Sequence, residues 1–324
     1  MFILISTLLK IKMNCYNKIM ISQHTHKNLS WIDLEKPTKE EVAGIMEKFK
    51  IHPLVGNELL IPSDRSKVDV YDNFIYLILH FPKYGHQANE FLIQEVDFII
   101  GRNFLITTHY ESIDPLLEFS KLFETDSILD KSKIGDNAGF LFFYIMRKMY
   151  EYTELETKHV NNKIKEAEAK IFVRGNERQM VEELSSINRE MIDLRRAIKG
   201  HGDILKSYEN ASVEFFGNKY QYYIATIYGE FNKIWNELES LRELLVELKN
   251  SNDGLFQARA NDIIQTLTIM AFVTFPLSLI AAIFGMNTST MPIVGLQNDF
   301  WIVVGIMAVG MIFMFIFFKY KKWI

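Results

Sequence analysis

"IIQTLTIMAFVTFPLSLIAAIFGMN" (Ile263–Asn287) decides how this chain is read, because from Ile263 to Phe284 it holds no charged residue. A second uncharged run follows from Phe300 to Phe318. Each is close to the roughly 20 residues that a helix needs to cross a hydrocarbon core. Uncharged runs of this length seldom fit a soluble fold, so the reading is a hairpin of two C-terminal spans. Pro276 sits in the middle of the first run. It removes one backbone hydrogen bond and bends the helix, which membrane helices tolerate where neighbours or water satisfy the freed carbonyl.

On a helical wheel the first span has two unlike arcs. Asn261, Ile264, Thr268, Ala271, Phe275, Ser278 and Ala282 share one arc, with Leu267 at its edge. Ile269, Met270, Val273, Leu277, Ile280 and Phe284 form an apolar arc suited to lipid or to the second span. The hydroxyls of the first arc either line a wet path or back-bond to their own helix. Two helices cannot enclose such a path, so a pore requires several copies around a closed axis.

The flanks set the orientation. Arg259 precedes the first span, Lys319, Lys321 and Lys322 follow the second, and the connecting segment Gly285–Asp299 has neither lysine nor arginine. Positive charge is retained in the cytoplasm. Both termini and the large hydrophilic part are therefore expected inside the cell membrane, and the short loop outside.

The hydrophilic part makes up about four fifths of the 324 residues, and the whole chain has a net charge of −4. Near-balanced charge gives no argument for nucleic-acid binding. The single cysteine, Cys15, excludes an internal disulfide framework. The opening "MFILISTLLK" lacks the leading positive charge of a signal peptide. Residues before about Ser22 read as an extension, with Met13 and Met20 as alternative starts.

"NFIYLILHFP" (Asn73–Pro82) and "EVDFIIGRNFLITTH" (Glu95–His109) read as strands, the second turned into a hairpin at Gly101-Arg102-Asn103. In "KPTKEEVAGIMEKFKI", Thr38 and Glu41 form a capping box ahead of an apolar face of Val42, Ile45, Met46 and Phe49. His24 and His26 read as a polar tail. Helical pattern dominates from about Phe140, and an antiparallel pair between Glu151 and Arg196 turns at Arg174-Gly175-Asn176. Ile224, Ile227, Phe231, Ile234, Leu238, Leu241, Leu245 and Leu248 then alternate spacings of three and four. Such a seam packs either on a neighbour in the same chain or around a symmetry axis. "NSNDG" (Asn250–Gly254) is expected to continue the helix rather than break it.

Phe284-Gly285-Met286-Asn287 followed by Met291-Pro292, at the outer end of the first of two terminal spans, resembles the CorA family of magnesium and cobalt transport proteins. "WIDLEKPTKEE", "HPLVGNELL", "KVDVYDNFIYLIL" and the ending "KYKKWI" are also similar to that family. The resemblance covers Trp31 to the end. It implies an α+β/α membrane protein, with an N-terminal cytoplasmic α/β domain, a long helical stalk, two transmembrane helices and a homopentameric funnel. The expected divisions are an extension (1–21), α/β domain (22–135), long helices with stalk (136–260), first span (261–285), outer loop (286–299), second span (300–318) and basic tail (319–324).

The resemblance further implies that Gly285, Met286 and Asn287 form the ion entrance, with a hydrated ion at Asn287. It places Asn261, Leu267, Phe275 and Ser278 in the pore, and the wheel adds Thr268. It implies no cofactor; Mg²⁺ is both the transported ion and a regulator. Three positions depart from the family pattern. The loop is neutral from Thr288 until Asp299, Phe275 stands where a representative member has methionine at a constriction, and Thr226 stands where one has an ion-sensing aspartate. Alternative readings are a Zn²⁺, Ni²⁺ or Co²⁺ transporter of the same superfamily, or a membrane-anchored helical scaffold or sensor without transport. An enzyme is the weakest reading, since no spaced nucleophile and base emerge.

Overall fold

A computed structural model describes residues 21–84, 91–128, 137–173, 175–286, 292–321 and 323. Two compact units divide the chain: Met1–Lys170 with Gln179–Glu247, and Ile171–Arg178 with Leu248–Ile324.

The first unit is built on a six-stranded sheet in the order β1-β2-β6-β5-β4-β3. Its strands are β1 (Ile21–His26), β2 (Leu29–Glu35), β3 (Lys67–Val70), β4 (Phe74–Tyr84), β5 (Phe91–Gly101) and β6 (Phe104–His109). All pairings are antiparallel except β2 with β6, which is parallel. The turn at Gly101-Arg102-Asn103 joins β5 to β6 as the sequence predicts, and Ile99 pairs with Ile106.

Helices cover both faces, which is why strands such as Phe74–Leu79 are apolar at every position rather than at alternate ones. On one face α1 (Lys39–Phe49) and α2 (Pro53–Glu58) pack over Ile32, Leu34, Phe74, Tyr76, Ile78, Ile99 and Ile106. The predicted capping box is present: Glu41 N donates to Thr38 Oγ1 at 3.3 Å, and Thr38 N donates to Glu41 Oε2 at 2.7 Å. On the other face lie α3 (Asp114–Ile128) and α4 (Ala138–Lys170). There Phe119 and Phe142 meet Trp31 and Phe98 edge-on, at 5.5 and 5.2 Å.

His24 and His26 do not belong to a polar tail. They occupy β1, only 8% and 7% exposed. The His24 ring lies 5.1 Å from Trp31, and its Nδ1 is 3.1 Å from Glu124 Oε1. An edge strand against aromatic residues buries them, and the local sequence gives no period-2 apolar signal to announce it.

Beyond α4 run α5 (Glu177–Ile198), α6 (His201–Phe216) and α7 (Gln221–Phe284). The α4–α5 pair is antiparallel, tied by Lys163–Glu190 at 2.7 Å and Lys170–Glu183 at 2.9 Å. Gly175 adopts φ 91° at the turn, a conformation that costs glycine little. The seam from Ile224 to Leu248 is buried within the single chain. Phe231 lies 6.4 Å from the Tyr150 ring and 6.1 Å from His201. Arg147–Glu230 and Lys233–Glu154, both at 2.9 Å, together with Arg195–Glu239, flank it. The seam therefore packs on helices of its own chain, not around an axis.

His201 is fully buried and joins three elements. Tyr150 Oη donates to its Nδ1 at 2.9 Å, and its Nε2 donates to His80 O at 2.8 Å. Burial pushes its pKa down to about 3, so the ring is neutral. Asp97 on β5 is the opposite case. Its carboxyl is completely buried beside Glu95, and burial holds its pKa well above the ordinary value.

Candidate pore-lining face and outer loop

The helix α7 is 64 residues long and unbroken through Asn250–Gly254. In the second unit Asn252 is buried and donates from Nδ2 to Glu177 O at 3.4 Å, which anchors a stretch that would otherwise favour a turn. Arg259 pairs with the Glu177 carboxylate. From there α7 becomes apolar, and α8 (Asp299–Tyr320) follows the loop. Both helices are long and apolar enough to cross a bilayer, and the apolar window of each is unburied.

The two arcs of the wheel differ in exposure. Ile269, Val273, Leu277, Ile280 and Phe284 are half-buried, while Met270 from the same arc stands open. Asn261, Ile264, Leu267, Phe275, Ser278 and Ala282 are exposed, Phe275 at 73%. Thr268 and Ala271 are partly covered. From Asn261 to Ser278 this file of side chains runs about 25 Å along one side of the helix, at 1.5 Å per residue. Thr268 Oγ1 donates to Ile264 O at 2.7 Å, so back-bonding satisfies its proton while its oxygen still offers a free acceptor site. Thr266 and Thr274 do the same, each at 2.9 Å. Pro276 leaves the Phe272 carbonyl without its usual donor.

The helix ends tightly. Gly285 N donates to Ala281 O at 2.9 Å, and a Cβ on Gly285 would stand 3.1 Å from that same oxygen. Met286 follows, 58% exposed. Asn287 and Met291 lie outside the described residues. In the described part of the loop Asp299 is the only carboxylate, and it is engaged. Its Oδ2 accepts from Gly295 N at 3.1 Å, and its Oδ1 accepts from Phe300 N at 2.7 Å in the first turn of α8. Sequence reasoning did not foresee these contacts; an acidic residue in the first turn suits the positive end of the helix dipole. Thr226, in the first unit, is exposed and donates to Tyr222 O at 2.9 Å. Among the described residues no three His, Cys, Asp or Glu side chains converge as a metal site.

The chain holds a six-stranded mixed sheet and two helices long and apolar enough to cross a bilayer, and Gly285-Met286-Asn287 follows the first of these in the sequence. The sequence pattern described as CorA-like Mg2+ transporter protein matches residues 26–321, and the chain belongs to the CorA family. The Bacillus subtilis protein YfjQ is 27% identical over 297 residues, covering 90% of this chain and 89% of that one. The cobalt/magnesium transport protein CorA of Thermotoga maritima is 23% identical over 299 residues, covering 91% and 83%. Among solved structures, the CorA magnesium transporter of Methanocaldococcus jannaschii superposes with a TM-score of 0.81, at 19% identity and 94% coverage of both chains.

Proposed function

We propose that this chain is one subunit of a homopentameric channel that conducts hydrated Mg²⁺ into the cytoplasm across the cell membrane. The observation that carries the reading is the file Asn261, Leu267, Phe275 and Ser278, exposed along one side of α7 with Thr268 partly covered among them, on the helix after which Gly285, Met286 and Asn287 follow in the sequence. In a ring of subunits these side chains face the axis, and the half-buried arc turns toward the second span.

The chemistry suits a weakly held, hydrated ion. Mg²⁺ gives up its six waters reluctantly. A ring of Asn287 amide oxygens accepts hydrogen bonds from that shell without stripping it, and neutral acceptors release the ion more readily than carboxylates do. Asp299, the one carboxylate in the described part of the loop, already accepts from Gly295 N and Phe300 N. Phe275 provides an apolar constriction. Two charges entering down an inside-negative potential gain roughly 4 to 5 kcal/mol per 100 mV, so no nucleotide is required. Gating follows from movement of the cytoplasmic funnel, with internal Mg²⁺ as regulator. Thr226 supplies no carboxylate for that sensing. We read no catalytic role in the chain.

Proteoliposomes with an imposed inside-negative potential and an internal Mg²⁺ indicator test this. Uptake that rises with the potential, with Co²⁺, Ni²⁺ and Zn²⁺ as weaker competitors, is expected. Preferred uptake of Zn²⁺ or Ni²⁺ over Mg²⁺ would support the superfamily alternative. No uptake of any of the four would leave the scaffold reading standing.

A further inference from the structure

Between the two apolar helices lies a groove of 470 Å³, within the size range of small-ligand sites. Phe272 and Pro276 of α7 form one wall, and Phe313, Met314 and Phe317 of α8 form the other. At one end the Phe318 and Trp323 rings stack, 5.9 Å apart and 19° from parallel. The chain end is tied there. Trp323 N donates to Phe318 O at 3.0 Å, and Gln265 Nε2 donates to Trp323 O at 3.0 Å. Phe318 is only 4% exposed, whereas Trp323 keeps one face open at 45%. The lining is aromatic, proline and methionine throughout, so its occupant must be apolar.

The groove is positioned against charge. Lys319 and Lys321 follow Phe318 directly, and from Phe300 onward the chain contains no acidic residue. On α7 the same end carries one carboxylate, Asp262, and Arg259, which is already paired with Glu177, so the excess positive charge is that of the lysines. From Phe313 to Lys319 the helix rises about 9 Å, so the groove reaches from the lysine level into the hydrocarbon. That is the depth of the first part of an acyl chain whose headgroup lies among the lysines. Basic residues beside a gap between spans favour anionic headgroups.

We propose that this groove is a lipid site: it holds one acyl chain of an anionic phospholipid from the leaflet facing the basic tail, with the headgroup phosphate against Lys319 and Lys321. The site uses Trp323 as its floor and Phe272 and Pro276 as one wall. It rests on the two helices lying in a bilayer and is independent of ion conduction.

Tryptophan quenching by brominated acyl chains reads this directly, since bromine quenches only on contact. The full-length protein is reconstituted in phosphatidylcholine vesicles containing equal mole fractions of dibrominated phosphatidylglycerol or dibrominated phosphatidylcholine. In Trp301→Phe protein Trp323 reports the groove; in Trp323→Phe protein Trp301 reports bilayer embedding separately. We expect Trp323 to be quenched several-fold more by the anionic lipid. The preference should vanish in Lys319→Gln/Lys321→Gln and, for the parent lysines, at high salt. Equal quenching by both lipids would mean ordinary surrounding lipid and overturn the proposal. Quenching of Trp301 with none of Trp323 would mean that another copy of the chain covers the groove, and would overturn it as well.

Discussion

Asn287→Ala is expected to lower Mg²⁺ uptake in proteoliposomes by more than about tenfold, a loss of at least about 1.4 kcal/mol at the rate-determining barrier. In the proposed ring one substitution changes every subunit and puts methyl groups where amide oxygens would accept from the ion's water shell. Protein yield, oligomer size and thermal midpoint should stay at the parent values, because the residue follows Phe284, the last of α7, in the sequence. Asn287→Asp is expected to keep ion binding while slowing release, since a carboxylate holds the hydrated ion more tightly. Uptake in Asn287→Ala equal to the parent would remove this residue from the conduction path.

The second large effect lies at His201. Truncation to alanine leaves the His80 carbonyl and the Tyr150 hydroxyl buried without their partner and opens a cavity among Phe81, Tyr150 and Phe231. A loss of about 3 to 5 kcal/mol follows from these combined penalties. The same group sets an acid limit. Its folded pKa is about 3 against an ordinary value of 6.5. Between those values the unfolded chain binds a proton that the folded chain refuses, so stability falls as pH drops through that window. Asp97 acts in the opposite sense. Its raised folded pKa stabilises at low pH, and that contribution fades as pH rises. Denaturation followed from pH 7 to pH 4 should therefore show a shallower acid slope in His201→Gln, which can still donate to His80 O, than in the parent. Equal slopes would contradict the assignment of the neutral, buried ring.

Much of this molecule is legible in its sequence because local signals and global packing agree. Thr38 and Glu41 state a helix start outright, Gly101-Arg102-Asn103 states a hairpin, and the seam from Ile224 to Leu248 states one buried helical face. The continuity of α7 through Asn250–Gly254 was readable only against local rules, and the Asn252–Glu177 contact explains why those rules lose. Other features were not legible. The parallel pairing of β2 with β6 brings together segments some 74 residues apart, and no local pattern encodes that choice. The seam's partner was open in the sequence, since a period of 3.5 is the same whether the neighbour belongs to the same chain or another. His24 and His26 were misread because their burial comes from tertiary packing, which for His24 is against Trp31 and Phe123. At the candidate site the wheel left open whether the apolar arc of α7 meets lipid or the second span; most of that arc is half-buried while Met270 stays open, and the backbone contacts of Asp299 were not foreseen.

The central claim is that one side of the first span faces water inside a ring of subunits. Cysteine placed at Ser278, in a background lacking Cys15, tests it with a membrane-impermeant thiol reagent, against cysteine at Ile280 on the opposite arc. The account predicts that Ser278→Cys is labelled, that Mg²⁺ slows the labelling, and that the modification blocks uptake, while Ile280→Cys stays unlabelled and conducting. Labelling at Ile280 with none at Ser278 would contradict it.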